Sequence, residues 1–137
     1  MAKPVEKSSV GFKSHDGSSQ IKGVLWQPVP GAGPGARPNA PRVRGIVQIV
    51  HGMAEHSGRY EDFARFLVDR GFAVCAHDHI GHGRSAASPA DLGHMPLEGG
   101  KDVLVEDVHE MRRVVSARFP RKVPYFIFGH SMGSYVT

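Results

Sequence analysis

A serine flanked by two glycines stands near the end of the sequence. Residues 129–133 read Gly-His-Ser-Met-Gly and fit the pattern G-x-S-x-G, which is typical of a serine nucleophile on a sharp turn from a strand into a helix. Side chains at the glycine positions would clash in so tight a turn, and its strained backbone would expose the serine hydroxyl. An incidental serine in a glycine-rich turn is the alternative. The apolar run that leads into the motif favours Ser131 as a nucleophile, which would also need a base and an oxyanion hole.

A cluster of histidines suggests a different chemistry. Residues 77–82 read His-Asp-His-Ile-Gly-His, which approaches the H-x-H-x-D-H pattern of binuclear metallohydrolases, and imidazole suits zinc. However, Gly81 stands where that pattern has an aspartate, and no further ligands follow at a suitable spacing. Polar side chains in such a loop more often bond to the backbone. We therefore expect no metal site and keep a metallohydrolase using His77, His79 and His82 as the less favoured alternative.

The composition is that of an ordinary globular chain. Its 137 residues allow one domain with a modest core. No apolar run is long enough to span a bilayer, and the first residues lack the apolar stretch of a secretory signal. Cys75 is the single cysteine, which excludes an internal disulfide and predicts a reducing, cytoplasmic location. The net charge of +4 comes from scattered basic residues, so no nucleic-acid partner is predicted.

Strands and helices alternate along the chain and must position these residues. Residues 8–14 and 20–27 are predicted to form an antiparallel hairpin, and apolar runs at 44–50, 72–77 and 123–128 predict three buried strands. Helical periodicity predicts one helix from Arg59 to Arg70 and another that ends near Arg118, with apolar positions at 104, 108, 111 and 115. This order specifies an α/β fold with a parallel sheet and right-handed crossovers.

Proline and glycine dominate one segment of the chain. Residues 28–42 contain five prolines and three glycines, a composition that excludes a helix or an inner strand. The hairpin before this segment could not bury a core of its own. We therefore predict a flexible loop within a single domain that covers residues 1–137.

Three blocks together resemble a known family. The stretches HGMAEHSGRY (51–60), DHIGHGRS (78–85) and GHSMG (129–133) are similar to the monoacylglycerol lipase and lysophospholipase branch of the α/β-hydrolases, grouped with the serine aminopeptidase S33-like enzymes. The resemblance runs from about residue 20 onward. It implies an α/β-hydrolase-type, mostly parallel sheet with an N-terminal antiparallel hairpin, truncated after the nucleophile turn.

The resemblance also implies an activity and a site. It implies a serine esterase that cleaves a fatty-acyl ester of a monoacylglycerol or lysophospholipid without metal or organic cofactor, and it is compatible with peripheral membrane contact by the complete enzyme. By the match, Ser131 is the nucleophile, and the backbone N–H groups of Met53 and Met132 form the oxyanion hole. Neighbours of Met53 would shape or brace its loop, namely His51, Gly52, Glu55 and His56.

Residues 1–137 do not contain the complete triad of that family. The family orders its triad as serine, acid and histidine, and here no acid or histidine follows Ser131. His51, His130 and Asp78 are upstream candidates, but the fold gives His51 a loop-shaping place and the turn directs His130 away from the serine. We therefore expect this chain alone to be an inactive fragment. The alternative is a non-catalytic module that a partner chain completes.

Overall fold

The structure, a computed structural model, describes residues 4–29 and 43–137. Most of the predicted loop 28–42 therefore lies outside the described residues. The strands are β1 (Val5–Lys13), β2 (Gln20–Pro28), β3 (Ile46–Val50), β4 (Ala73–His77) and β5 (Tyr125–Gly129). The α-helices are α1 (Glu61–Asp69), α2 (Gly100–Ser116) and α3 (Met132–Val136), and short 3-10 helices lie at Ser57–Tyr60, Gly83–Ser85 and Pro89–Asp91.

The five strands form one sheet in the order β1-β2-β4-β3-β5. The hairpin β1-β2 is antiparallel and joins β4 in an antiparallel pairing, whereas β3 runs parallel to both β4 and β5. The predicted α/β architecture with an N-terminal antiparallel hairpin is therefore observed. In the parallel pair, Val50 at the end of β3 is in register with Gly129 at the end of β5. The loops that follow these two strands therefore start side by side.

Several element boundaries differ by one to three residues from the prediction, and three of these differences have local reasons. The first strand begins at Val5 because its pairing with β2 continues to Pro28. The helix α1 begins at Glu61 because the preceding turn is a 3-10 helix, capped by the His56 ring, which accepts a hydrogen bond from the backbone of Gly58. The last strand begins at Tyr125, since the residue before it is a proline without an N–H group.

Apolar side chains cover the sheet on both faces. The helix α1 packs on one face, where Ala64 and Val68 join a cluster around Trp26. The helices α2 and α3 pack on the other face. The four apolar positions predicted for α2 are all buried there: Leu104, Val108, Met111 and Val115. None of the helices in the two described ranges is long and apolar enough to cross a bilayer.

A buried glutamine connects three elements of the core. Gln48 on β3 donates a hydrogen bond of 3.2 Å from its amide to the carbonyl oxygen of Val108 on α2. Its side-chain oxygen accepts a hydrogen bond of 2.5 Å from the Tyr125 hydroxyl on β5. Each polar end of the buried amide has a partner, so hydrogen bonds offset the cost of burying Gln48 while it connects β5 and α2 to β3.

The outer edge of β5 is apolar and open in the described part of the chain. The strand pairs with β3 on one side, and no described strand pairs with its other side. Phe126, Ile127 and Phe128 are 52%, 41% and 42% exposed. In the described residues, this edge of the sheet is therefore both apolar and exposed to solvent.

Candidate functional site

Ser131 occupies the sharp turn between β5 and α3. The residue is exposed and has φ 55° and ψ −125°. Residues other than glycine rarely adopt this backbone conformation. It costs roughly 1–3 kcal/mol and persists only where the surrounding structure enforces it. The strand-turn-helix geometry that the sequence motif predicts is therefore present, with the serine at its apex.

The two glycines of the motif are required by close backbone contacts. A Cβ atom on Gly129 would lie 2.7 Å from the carbonyl oxygen of Gly133. A Cβ atom on Gly133 would lie 2.0 Å from the carbonyl oxygen of Val50. A larger residue at position 129 would push α3 away from β5, and one at position 133 would push it away from β3. The contacts on both sides of Ser131 therefore hold the strained turn in place.

The loop after β3 lies against this turn. A Cβ atom on Gly52 would be 3.0 Å from the Ser131 Cβ and 3.2 Å from the carbonyl oxygen of His130. The loop turns sharply after Gly52, and Ala54 has a positive φ of 56°. The loop that carries Met53 and the turn that carries Ser131 therefore meet.

The two proposed oxyanion donors belong to different elements. Met53 lies in the β3 loop with a side chain that is 66% exposed, whereas Met132 begins α3 and packs partly against the core. Within the described residues, neither backbone N–H donates a hydrogen bond. Both groups are thus available to an external oxygen atom, as an oxyanion hole requires.

A buried carboxylate links the β3 loop to the 3-10 helix that precedes α1. Glu55 is only 9% exposed, and its Oε1 accepts hydrogen bonds of 2.5 Å from the Gly52 N–H and 2.5 Å from the Tyr60 hydroxyl. Its Oε2 accepts a hydrogen bond of 3.1 Å from the Arg59 guanidinium. Burial alone would raise the pKa of Glu55, but these hydrogen bonds outweigh it and lower the pKa. The carboxylate is therefore an anion at neutral pH.

The same network reaches the Ser131 turn through His130. The Tyr60 hydroxyl lies 3.1 Å from the His130 Nδ1, and its single proton is directed to Glu55, so the histidine Nδ1–H donates to the tyrosine oxygen. Sequence reasoning did not find this link. Glu55 and Tyr60 share one sequence block, but no spacing rule connects them with His130, which is 70 residues from Tyr60.

The upstream histidines do not form a triad with Ser131. His51 is buried, its Nδ1–H donates 2.7 Å to the carbonyl oxygen of Gly52, and its Nε2 accepts 3.0 Å from the His79 N–H. Both ring nitrogens are thus occupied, and burial lowers the pKa of His51. His130 turns toward Tyr60, as described above. Within the described residues, neither histidine bonds to Ser131.

Asp78, the acidic candidate, also forms its hydrogen bonds with groups other than a triad histidine. Asp78 is buried and accepts hydrogen bonds of 2.7 Å from the Ser57 N–H and 2.9 Å from the Arg84 N–H. It therefore joins the loop after β4 to the 3-10 turn before α1. Asp78 has a structural role, and no histidine of a triad is attached to it in the described part of the chain.

The histidines of the β4 loop bond mainly to the backbone. His79 donates 2.9 Å from Nε2 to the carbonyl oxygen of His51, and His82 donates 2.9 Å from Nδ1 to that of Ile80. His77 stands apart, because neither of its buried ring nitrogens has a partner among the described residues, whereas His79 lacks one only at Nδ1. No three His, Cys, Asp or Glu side chains of residues 4–29 and 43–137 are grouped to hold a metal ion. The metallohydrolase alternative therefore gains no support from this loop.

An open groove lies beside the turn that carries Ser131, with His130 in its lining. It has a volume of about 320 Å³. Phe63 and Phe128 form its apolar side, with ring centroids 5.3 Å apart. Its polar lining comes from the network already described: Glu55, Arg59, Tyr60 and His130.

Comparisons with known proteins agree with this geometry. Human monoglyceride lipase is 38% identical over 90 residues, which are 66% of this chain and 27% of that protein. The monoacylglycerol lipase of Mycolicibacterium smegmatis is 37% identical over 90 residues, 66% of this chain and 30% of that protein. The chain spans less than a third of the length of these two relatives.

A solved structure and a family profile extend the comparison. A thermostable carboxyl esterase from Bacillus coagulans, crystallised with glycerol, is 35% identical with a TM-score of 0.79, covering 95% of this chain and 38% of that chain. The profile of the family described as serine aminopeptidase, S33, matches residues 41–137. This match includes both the β3 loop and the Ser131 turn. The chain therefore belongs to the serine aminopeptidase S33 family and has an α/β-hydrolase fold.

Proposed function

We propose that this chain carries the nucleophile and the oxyanion hole of a serine ester hydrolase, with Ser131 as the nucleophile. The observation that supports this proposal best is the strained, exposed position of Ser131 with the Gly52 loop directly against it. A structural serine has no need of a positive φ between two obligatory glycines. The geometry suits a hydroxyl that must reach an external carbonyl carbon.

The proposed reaction passes through an acyl-enzyme. The Ser131 Oγ attacks the carbonyl carbon of an ester, and the carbonyl oxygen becomes an oxyanion that the N–H groups of Met53 and Met132 stabilise. Collapse of this intermediate releases the alcohol, and water then hydrolyses the acyl group from Ser131. A histidine oriented by an acid must move the protons. Because no described histidine bonds to Ser131, we propose that both groups come from outside residues 1–137.

The proposed substrate is a single fatty-acyl ester, such as a monoacylglycerol or a lysophospholipid. The relatives named monoglyceride and monoacylglycerol lipase support the first of these, and the apolar side of the groove, formed by Phe63 and Phe128, supports an acyl chain in either case. The reaction needs no cofactor. The unpaired Cys75 supports a reducing cytoplasm as the location.

Labelling with a fluorophosphonate tests the nucleophile. We expect one label per chain, located at residue 131 by mass spectrometry and absent from the Ser131→Ala variant. Ser9→Ala is the matched control, because Ser9 is exposed on β1 at the opposite edge of the sheet. Labelling that persists in Ser131→Ala, or no label at residue 131 at any probe concentration, would overturn the proposed role.

The second candidate function is a non-catalytic module that a partner completes. The observation in its favour is the open edge of β5 with three exposed apolar side chains. We expect residues 1–137 alone to label slowly and not to turn over p-nitrophenyl esters, and a chain that supplies the acid and histidine to restore turnover. Rapid turnover by residues 1–137 alone would contradict the expected inactivity, and co-purification with and without turnover would separate the two candidates.

A further inference from the structure

We propose that Glu55 is a positioning residue, whose carboxylate holds the loop that carries the Met53 N–H in register with the turn that carries Ser131. The proposal rests on the proposed function and adds to it a residue that never touches the substrate. Sequence reasoning gave Glu55 only a general bracing place in the loop. The contacts of its two oxygens define a more specific task.

The first step concerns the direction of the Met53 N–H. This N–H shares a peptide unit with the carbonyl group of Gly52, and in a trans peptide the two groups point in opposite directions. The His51 ring holds the Gly52 carbonyl oxygen at 2.7 Å, and Glu55 holds the Gly52 N–H at 2.5 Å. Gly52 is therefore fixed on both sides, and the Met53 N–H has one allowed direction.

The second step connects this loop to the nucleophile. The oxygen of Glu55 that holds Gly52 also accepts the Tyr60 hydroxyl, which in turn accepts from the His130 ring. His130 immediately precedes Ser131, and its N–H bonds 3.1 Å to the carbonyl oxygen of Val50. One carboxylate oxygen thus sets the separation between the two halves of the proposed oxyanion hole.

The third step concerns the type of side chain that position 55 requires. Oε1 accepts two hydrogen bonds and Oε2 accepts one from Arg59. Glutamine can turn its oxygen toward Gly52 and Tyr60 and its amide toward Arg59, whose exposed side chain is free to move away. Leucine has a similar size but accepts none of these bonds. The series Glu, Gln, Leu therefore separates the loss of charge from the loss of the hydrogen bonds.

The test measures the rate constant for fluorophosphonate labelling of Ser131 together with the melting temperature of each variant. We expect Glu55→Leu to label about 100-fold more slowly than the wild type, since a displacement of about 1 Å of a catalytic group costs that much. Glu55→Gln should recover most of this loss. Tyr60→Phe, which keeps the Gly52 bond, should fall between them. Glu98→Gln is the matched control, because Glu98 is exposed and lies outside the network.

A folded Glu55→Leu protein that labels at the wild-type rate would overturn the proposal, as would a loss of melting temperature without any change in labelling. If Glu55→Leu does not fold, Glu55→Gln and Tyr60→Phe test the proposal through smaller changes in the labelling rate constant. If wild-type Ser131 does not label, the proposed function fails. NMR then tests Glu55 alone, because its proposed role requires the amide signals of Gly52 and Met53 to shift further in Glu55→Leu than in Glu55→Gln, and equal shifts in the two variants contradict it.

Discussion

Gly133 at the start of α3 lies so close to Val50 at the end of β3 that a Cβ atom would be 2.0 Å from the Val50 carbonyl oxygen. The backbone of residue 133 fixes the position of this Cβ, and its neighbour is a backbone oxygen. No rotamer change can therefore relieve the clash. The first turn of α3 therefore sits directly on the end of β3. This contact places the N-terminal N–H groups of α3 beside the β3 loop.

Replacement of Gly133 by alanine should therefore destabilise the protein. We expect a loss of about 3 kcal/mol in the free energy of unfolding, because the added methyl group must displace backbone. Urea denaturation followed by circular dichroism measures this loss. Gly100→Ala is the matched control, since a Cβ there would be 3.9 Å from its nearest neighbour, and alanine in the first turn of α2 should be neutral or stabilising. Equal stability of the two variants would contradict the expected clash.

Much of this arrangement follows from the sequence because the signals are local. The apolar runs predict the strands β3, β4 and β5, and the pattern around Ser131 predicts the strained turn. The network around Glu55 could not be predicted, because it depends on the distance between two loops that meet only when β3 and β5 pair. The same holds for Gln48, which reads as a polar interruption of an apolar strand until its two partners on α2 and β5 are known.

The histidines of the β4 loop show another limit. Their spacing suggested metal ligands or backbone bonds, and the second interpretation is confirmed for His79 and His82. His77 fits neither, because its ring packs edge-on against Phe12 and forms no hydrogen bond within the described part of the chain. Strand alternation places it on a buried face, and burial, which a spacing rule does not register, determines its behaviour.

The buried histidines should make the stability of the protein depend on pH. Burial lowers the pKa of His77 to about 3 and that of His79 to about 2, from an ordinary value of 6.5. Below pH 6.5 the unfolded chain binds protons at these positions and the native chain does not. Stability is therefore full above pH 6.5 and falls as the pH drops from 6.5 toward 3, by roughly 2 kcal/mol per histidine at about pH 5.

Replacement of His77 by leucine isolates one of these contributions. At about pH 8 we expect stability equal to or above that of the wild type, because two buried nitrogens without partners are removed. Between about pH 6 and pH 4 the unfolding free energy should change less steeply with pH than in the wild type. The difference in slope should correspond to the uptake of about one proton fewer on unfolding. His109→Leu, at an exposed position on α2, is the control for replacing a histidine outside the core by leucine. An unchanged slope in His77→Leu would contradict the lowered pKa of this ring.

The single cysteine should not react in the native protein. Cys75 is fully buried on β4, and burial raises the pKa of its thiol to about 12. At about pH 8 only about one thiol in 10,000 is then ionised, and the thiolate is the reactive form. We expect no reaction with dithiobis(nitrobenzoic acid) under native conditions and one equivalent in guanidinium chloride. Rapid reaction in the native protein would contradict the burial of this thiol.

The open edge of β5 should promote self-association. Its unpaired backbone groups and apolar side chains offer a template for another strand, and Ile127 lies at the centre of this edge with 41% exposure. Ile127→Lys should lower the apparent mass in sedimentation velocity at high protein concentration, because a charge on an edge strand opposes strand pairing. Leu97→Lys is the matched control, since Leu97 is fully exposed but lies in the loop before α2. If general surface hydrophobicity drives association, both variants will reduce it equally; if the edge drives it, only Ile127→Lys will.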